Sequence, residues 1–183
     1  MSNTAASTTA TAPLRPSARF MRGHLAHWVA LGFGSGLSRW APGTVGTLWA
    51  WAAYVVADRW LSTAQLGWVI AASLPLGWWA CTRTAQHLGT ADPGAIVWDE
   101  VVAFWLVLWL VMPAGLLGQA VAFGLFRYFD AAKPGPVGWA DRAGKLRPGE
   151  AIGWRQGWGI LFDDLVAALC TLLVIALWLR LVA

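Results

Sequence analysis

GWGILFDDLVAALCTLLVIALWL, residues 157–179, sets two adjacent carboxylates, Asp163 and Asp164, at the head of an uncharged run from Leu165 to Leu179. A run of that kind belongs in a membrane or a deeply buried core, where desolvation makes negative charge expensive. The pair at its threshold therefore needs a physical reason. The rest of the chain favours the membrane. Of 183 residues 58% are hydrophobic and only 12% charged, roughly half the charge of an ordinary soluble chain. Fifteen tryptophans are present, and such amphipathic rings collect at membrane–water interfaces. The apolar runs are too many for a soluble bundle of this length to bury. The expected fold class is all-α: an integral membrane bundle of about five helices.

Working outward, the five predicted segments cover about Val45–Ala57, Ala64–Thr82, Val97–Met112, Ala114–Ala132 and Leu161 to the C-terminus. Pro75 is a kink point within the second, Pro113 punctuates the third, and Lys133-Pro134-Gly135-Pro136 stops the fourth. Several are short for spanning helices, which implies tilt or local thinning. Residues 1–22 are rich in Ser, Thr and Ala, carry Arg15, Arg19 and Arg22 with no acid, and are expected to be a disordered tail without a secretory apolar core. Residues 23–183 form one domain. Pro42, Gly43 and Gly46 suit an interfacial re-entrant turn ahead of the first segment. Cys81 and Cys170 sit in apolar surroundings and suit packing, not a disulfide framework. The basic residues are scattered between apolar runs, which disfavours nucleic acid as a partner. His24, His27 and His87 are expected at the interface and not as metal ligands.

Counting crossings puts eleven of the thirteen Lys and Arg on one side, with only Arg59 and Arg180 opposite. The positive-inside bias makes that side cytoplasmic. Six of the nine acids converge there: Asp92, Asp99, Glu100, Asp130, Asp163 and Asp164. Carboxylates at helix N-termini can simply cap free N–H groups. Two adjacent pairs on neighbouring helices, however, repel unless a cation lies between them, and hard oxygen donors without Cys or His suit Mg²⁺ or Mn²⁺. Arg127, Asp130 and Lys133, three apart, share one helix face and place two cations able to hold phosphate beside a carboxylate. GFGSGLSRWAPGTVGT, residues 32–47, offers glycines and the hydroxyls of Thr44 and Thr47 to a phosphate. The histidine, aspartyl and cysteinyl phosphatase motifs are missing from the sequence. Metal-assisted attack of water on phosphorus remains, with an aspartate available as general base. Intramembrane acids also line ion paths, so a small cation transporter or channel is the alternative, and a non-catalytic scaffold a second.

GFGSGLSRWAPGTVGT, DPGAIVWDE (92–100), FRYFDAAKPGPVGWADR (126–142) and GWGILFDDLVAAL occur in that order. The ordered set resembles the phosphatidylglycerophosphatase A family of bacterial membrane lipid phosphatases. The resemblance implies an enzyme of the inner membrane, multi-pass with its site facing the cytoplasm. Its Mg²⁺-dependent reaction would remove the terminal phosphate of phosphatidylglycerophosphate, a phospholipid substrate within the bilayer. It carries over Asp92, Asp99 and Glu100, then Arg127, Asp130, Lys133 and Pro134, then Asp141, the pair Asp163 and Asp164, and the turn Gly43, Thr44 and Gly46. From the chemistry, Asp99, Glu100, Asp130, Asp163 and Asp164 are the expected metal ligands. Asp99, Glu100, Asp130 and Asp164 are the expected catalytic acids, and Arg127, Lys133, Thr44 and Thr47 the phosphate contacts. Asp92 and Asp141 are further candidates. Two features depart from the family pattern: Gln156-Gly157 replaces a Gly-Gly pair, and the loop from Arg142 to Gln156 is long and basic. That loop suits anionic headgroups or plain solvation.

Overall fold

The computed structural model describes residues 15–182. Among them every regular element is helical. In chain order these are α1 (Ala18–Arg22), α2 (Leu25–Ala30), a 3-10 segment (Gly32–Leu37), α3 (Pro42–Ala57), α4 (Thr63–Leu88), α5 (Trp98–Val111), α6 (Leu116–Ala132), α7 (Pro136–Gly144) and α8 (Trp154–Val182). Local chemistry sets the boundaries. Ser62 and Gln65 close a reciprocal capping box at the start of α4, and Gly89 ends it with φ +66°. Pro42 occupies the first position of α3, where its missing N–H costs nothing. Lys133 closes α6 with a left-handed φ of +46°, and Gly135 follows at φ +50°.

α8 is the central element and packs against α4, α5, α6 and α7, while α3 lies on α5 and α2 on α4. The core runs through α5, where Val101, Val102, Ala103, Phe104, Val107 and Leu108 are all fully buried. Tryptophan does more here than the interfacial role its abundance suggests. The indole N–H groups of Trp98, Trp105 and Trp109 donate to the carbonyls of Ser73, Ala50 and Thr63 at 3.2, 2.9 and 2.8 Å. Trp51 donates to Gln119 Oε1 at 2.7 Å. These bonds tie α5 to α3 and α4, and α3 to α6; the Trp98 bond is buried, where an unpaired N–H is costly.

The all-α class agrees with the sequence expectation; the element boundaries differ, and α2 and α7 form where connections were expected. The last helix begins at Trp154, not near Leu161, so Asp163 and Asp164 lie in about its third turn and cap nothing. α4 continues beyond Thr82 to Leu88. Pro42–Gly46 forms the first turn of α3 itself and not a separate re-entrant turn. The expected tail ends earlier: residues 18–22 are helical with Met21 buried, while residues 1–14 lie outside the described part. Among the described helices α8 alone is long and apolar enough to cross a membrane, with a mean hydropathy of 2.5 over its most apolar stretch. α3, α5 and α6 have 16, 14 and 17 residues, fewer than the roughly 20 that span hydrocarbon.

Candidate active site

The N-terminal turns of α3 and α5, the C-terminal turn of α6 and the third turn of α8 meet at one end of the bundle. Asp99 and Glu100, in the first turn of α5, approach Asp164 of α8. One carboxylate oxygen from each lies within 4.8 Å of the others. Glu100 and Asp164 are buried, and Asp99 Oδ1 and Glu100 Oε2 are buried with no hydrogen-bond partner among the described residues. Three carboxylates this close repel one another unless a cation or protons separate them. Two orphaned oxygens in an all-oxygen donor set fit a hard divalent cation.

Arg127 of α6 flanks this trio. Its Nη1 lies 3.7 Å from Glu100 Oε1 and 3.5 Å from Thr47 Oγ1, and it also pairs with Asp130. Thr47 donates to Gly43 O at 2.8 Å, so its hydroxyl belongs to the wall of the site. Gly43 lies directly on the cluster: a Cβ there would stand 2.1 Å from Glu100 Oε1 and 3.2 Å from Arg127 Nη1. The helical ladder of α3 begins with Val45 N–H donating to Ala41 O. The first-turn N–H groups of Gly43 and Thr44 therefore stay outside it and are free to donate.

A second cluster adjoins the first. Lys133 Nζ pairs with Asp163 and with Asp141 Oδ1, the latter at 2.6 Å, and Lys145 Nζ reaches Asp141 Oδ2 at 2.8 Å. Burial alone would depress the Lys133 ammonium, but its bonds to Asp141 and Asp163 outweigh this and hold it above the ordinary value. Burial pushes the Asp141 carboxyl up, and the two lysines overcome that and hold it below the usual carboxylate range. Asp92, on the loop before α5, joins Asp141, Lys145 and Asp163 around a small cavity.

The sequence-predicted residues thus divide into two groups. Asp99, Glu100, Asp130, Asp164, Arg127, Thr47 and Gly43 come together, with Thr44 half-buried beside them. Asp163 does not join the three-carboxylate cluster; it turns to Lys133, because successive helical residues point about 100° apart. In the basic loop, Arg155 pairs with Glu150 and donates to the carbonyls of Ala143 and Lys145, both at 2.9 Å. It is a fastener of the loop; Arg142 and Arg147 remain exposed. Gln156 caps the start of α8 by accepting from Gly153 N–H at 2.9 Å. Gly157 lies against Thr82, where a Cβ would stand 1.9 Å from its Oγ1. Sequence reasoning missed two features. His27 Nδ1 lies 2.8 Å from Phe20 O and its Nε2 2.8 Å from His87 Nδ1, joining α2 to α4. Arg15 and Arg39 line a large cavity beside the site, and the signal for Arg39 was its place inside the glycine-rich stretch.

Fold and site together define an all-helical protein with a cluster of three close carboxylates set against Arg127 and the glycine-containing first turn of α3. A family model described as "Phosphatidylglycerophosphatase A" matches residues 28–179, and the chain belongs to that family. It is 35% identical over 146 residues to phosphatidylglycerophosphatase A of Escherichia coli strain K12, covering 77% of this chain and 76% of the relative. It is 36% identical over 149 residues to phosphatidylglycerophosphatase A of Haemophilus influenzae, covering 81% and 85%. A protein of Bacteroides thetaiotaomicron, provisionally described as a phosphatidylinositol-3-phosphatase, is 32% identical over 155 residues, covering 81% and 89%. No solved structure matches the chain.

Proposed function

We propose that this protein is a Mg²⁺-dependent lipid phosphatase that converts phosphatidylglycerophosphate to phosphatidylglycerol and phosphate. It works at the cytoplasmic face of a bacterial inner membrane, which it crosses several times. The observation that carries this reading is the Asp99–Glu100–Asp164 cluster with its two orphaned oxygens, set against Arg127 and the first turn of α3. The names of the two phosphatidylglycerophosphatase relatives supply the substrate.

Asp99, Glu100 and Asp164 would hold Mg²⁺, whose chemistry is to polarise phosphoryl oxygens and to lower the pKa of water. The chain's own groups do the rest. The Arg127 guanidinium, oriented by Asp130 and braced by Thr47, faces the developing negative charge on the phosphoryl group. The free N–H groups of Gly43 and Thr44 donate to its oxygens. Lys133, held by Asp141 and Asp163, contributes a second cation at the rim, and Asp163 positions it. Asp130, paired with Arg127 beside the cluster, would accept a proton from the attacking water.

Three features support the membrane placement. α8 is long enough to span, and its second half presents Leu169, Leu173, Leu177, Trp178 and Leu181 at the surface. The short helices suit a tilted or locally thinned arrangement. Counting five crossings in the sequence would put eleven of the thirteen bases on the same side as the acids of the site. Gathering the acids at one end also argues against an ion path, which needs polar groups through the membrane depth.

The test is phosphate release from phosphatidylglycerophosphate in neutral detergent micelles, with Mg²⁺ and then with chelator. Ion flux into proteoliposomes is measured on the same preparation. Release that needs Mg²⁺, without flux, is expected. Flux without release would replace this reading with transport. Release only from phosphatidylinositol 3-phosphate would move the substrate.

A further inference from the structure

Resting on the substrate reading above, a second feature bears on which phosphomonoesters the site accepts. Beside the carboxylate cluster lies an open cavity of about 920 Å³, in the range of small-molecule sites. Its walls are the segment before α1, the end of the 3-10 segment with Ser38 and Arg39, and the loop from Thr90 to Ala95. Two guanidinium groups line it, Arg15 and Arg39. Both are exposed, and neither has a carboxylate within ion-pair distance among the described residues. Elsewhere near the site every cation is matched: Arg127 with Glu100 and Asp130, Lys133 with Asp141 and Asp163, Lys145 with Asp141.

Two lining residues connect the cavity to the neighbourhood of the site. Its floor reaches Pro42, next in sequence to Gly43, which touches Glu100 and Arg127. Its wall includes Asp92, which also lines the small cavity containing Asp141 and Asp163. Arg39 precedes Gly43 by four residues, at most about 14 Å along even an extended chain. Trp40, next to Arg39 in the chain, is 86% exposed, as suits an indole at a membrane interface.

We propose that this cavity is a second anion subsite: Arg39 and Arg15 hold the phosphodiester of the lipid headgroup while the terminal phosphomonoester lies at Arg127 and the carboxylate cluster. The substrate of the proposed reaction carries these two phosphates on one glycerol, whose remaining hydroxyl falls between them. Asp92, the one carboxylate in the cavity wall, would accept a hydrogen bond from it. The subsite makes the enzyme select a phosphomonoester that carries a second phosphate over one that lacks it.

The experiment compares wild-type protein with Arg39→Gln, Arg15→Gln and the double variant in neutral detergent micelles, where the substrate is the sole anionic lipid. With phosphatidylglycerophosphate the double variant is expected to raise KM about tenfold or more with kcat within about twofold, the loss of charge-assisted hydrogen bonds to one anion. With phosphatidic acid, which has no phosphodiester, KM should stay within about twofold. Short-chain phosphatidylglycerol keeps the diester and lacks the monoester. Its binding, followed by calorimetry under chelator, should weaken about tenfold in the double variant, independently of turnover. Equal losses on both substrates, an unchanged KM, or unchanged phosphatidylglycerol binding each overturn the subsite. So does a KM effect that appears only when anionic carrier lipid is added, since the arginines then read the bilayer surface. Wild-type protein that releases no phosphate from phosphatidylglycerophosphate refutes the substrate reading instead.

Discussion

Gly43→Ala separates the fold from the chemistry. The added methyl would stand 2.1 Å from Glu100 Oε1 and 3.2 Å from Arg127 Nη1. Carbon and carboxylate oxygen rest at about 3.3 Å, so Glu100 must retreat by roughly 1 Å. The fold tolerates this, because the obstructing atom ends a flexible side chain. Gly43 also has ordinary helical backbone, where alanine is favoured over glycine by up to about 1 kcal/mol. The site does not tolerate it. A displacement of about 1 Å in a catalytic group costs on the order of 10²-fold in rate, and Arg127, in contact with the same methyl, is pushed as well. The expected outcome is a thermal midpoint in detergent unchanged or slightly raised, with phosphate release lowered about 100-fold and more Mg²⁺ needed for half-maximal activity. Phosphate release within twofold of wild type would refute the placement of Glu100 at the reacting centre. A collapse of the thermal midpoint would refute the packing argument.

Asp164→Asn removes one of three mutually repelling carboxylates; under chelator the variant should melt higher than wild type, and with saturating Mg²⁺ the order should reverse, as read by thermal unfolding. Glu150 is pushed down to about 2 by the Arg155 guanidinium and the Arg147 N–H. A carboxylate depressed on folding stabilises above its unfolded pKa of about 4.3 and gives that up as pH falls through the folded value. Wild-type protein should therefore lose loop order between about pH 4.5 and 2, a slope that Glu150→Gln abolishes in an acid titration followed by tryptophan fluorescence. Trp105→Phe deletes the 2.9 Å bond to Ala50 O and should cost about 1 kcal/mol in denaturant unfolding without changing Mg²⁺ dependence.

Much of this site was legible because helical periodicity and charge placement are local. Asp99-Glu100 follows a polar connection, and Arg127, Asp130 and Lys133 share one face by their spacing alone. Counting crossings led to the expectation that they meet, and they do lie together at one end of the bundle. The division of labour between Asp163 and Asp164 was hidden, since it depends on where α8 begins. The chain from Trp154 to Gly159 looked like loop because of its glycines, yet Gly157 and Gly159 are there for close approach, to Thr82 and to Gly144. Tertiary packing overrode local propensity. The pairing of Lys133 with Asp141 and Asp163 was likewise out of reach. It depends on a left-handed turn at Lys133 and on α7, which the prolines and glycines of residues 134–138 disguised as a connection. The histidine contact between α2 and α4 spans 60 residues, a separation that no local pattern encodes.

The central claim is that Asp99, Glu100 and Asp164, and not Asp163, hold the divalent cation. Its most direct test is Mn²⁺ binding to the detergent-solubilised protein, followed by electron paramagnetic resonance, in wild type, Asp164→Asn and Asp163→Asn. The expected result is a site in wild type that Asp163→Asn retains and Asp164→Asn loses. Equal Mn²⁺ affinity in wild type and Asp164→Asn, or loss in Asp163→Asn alone, would contradict it.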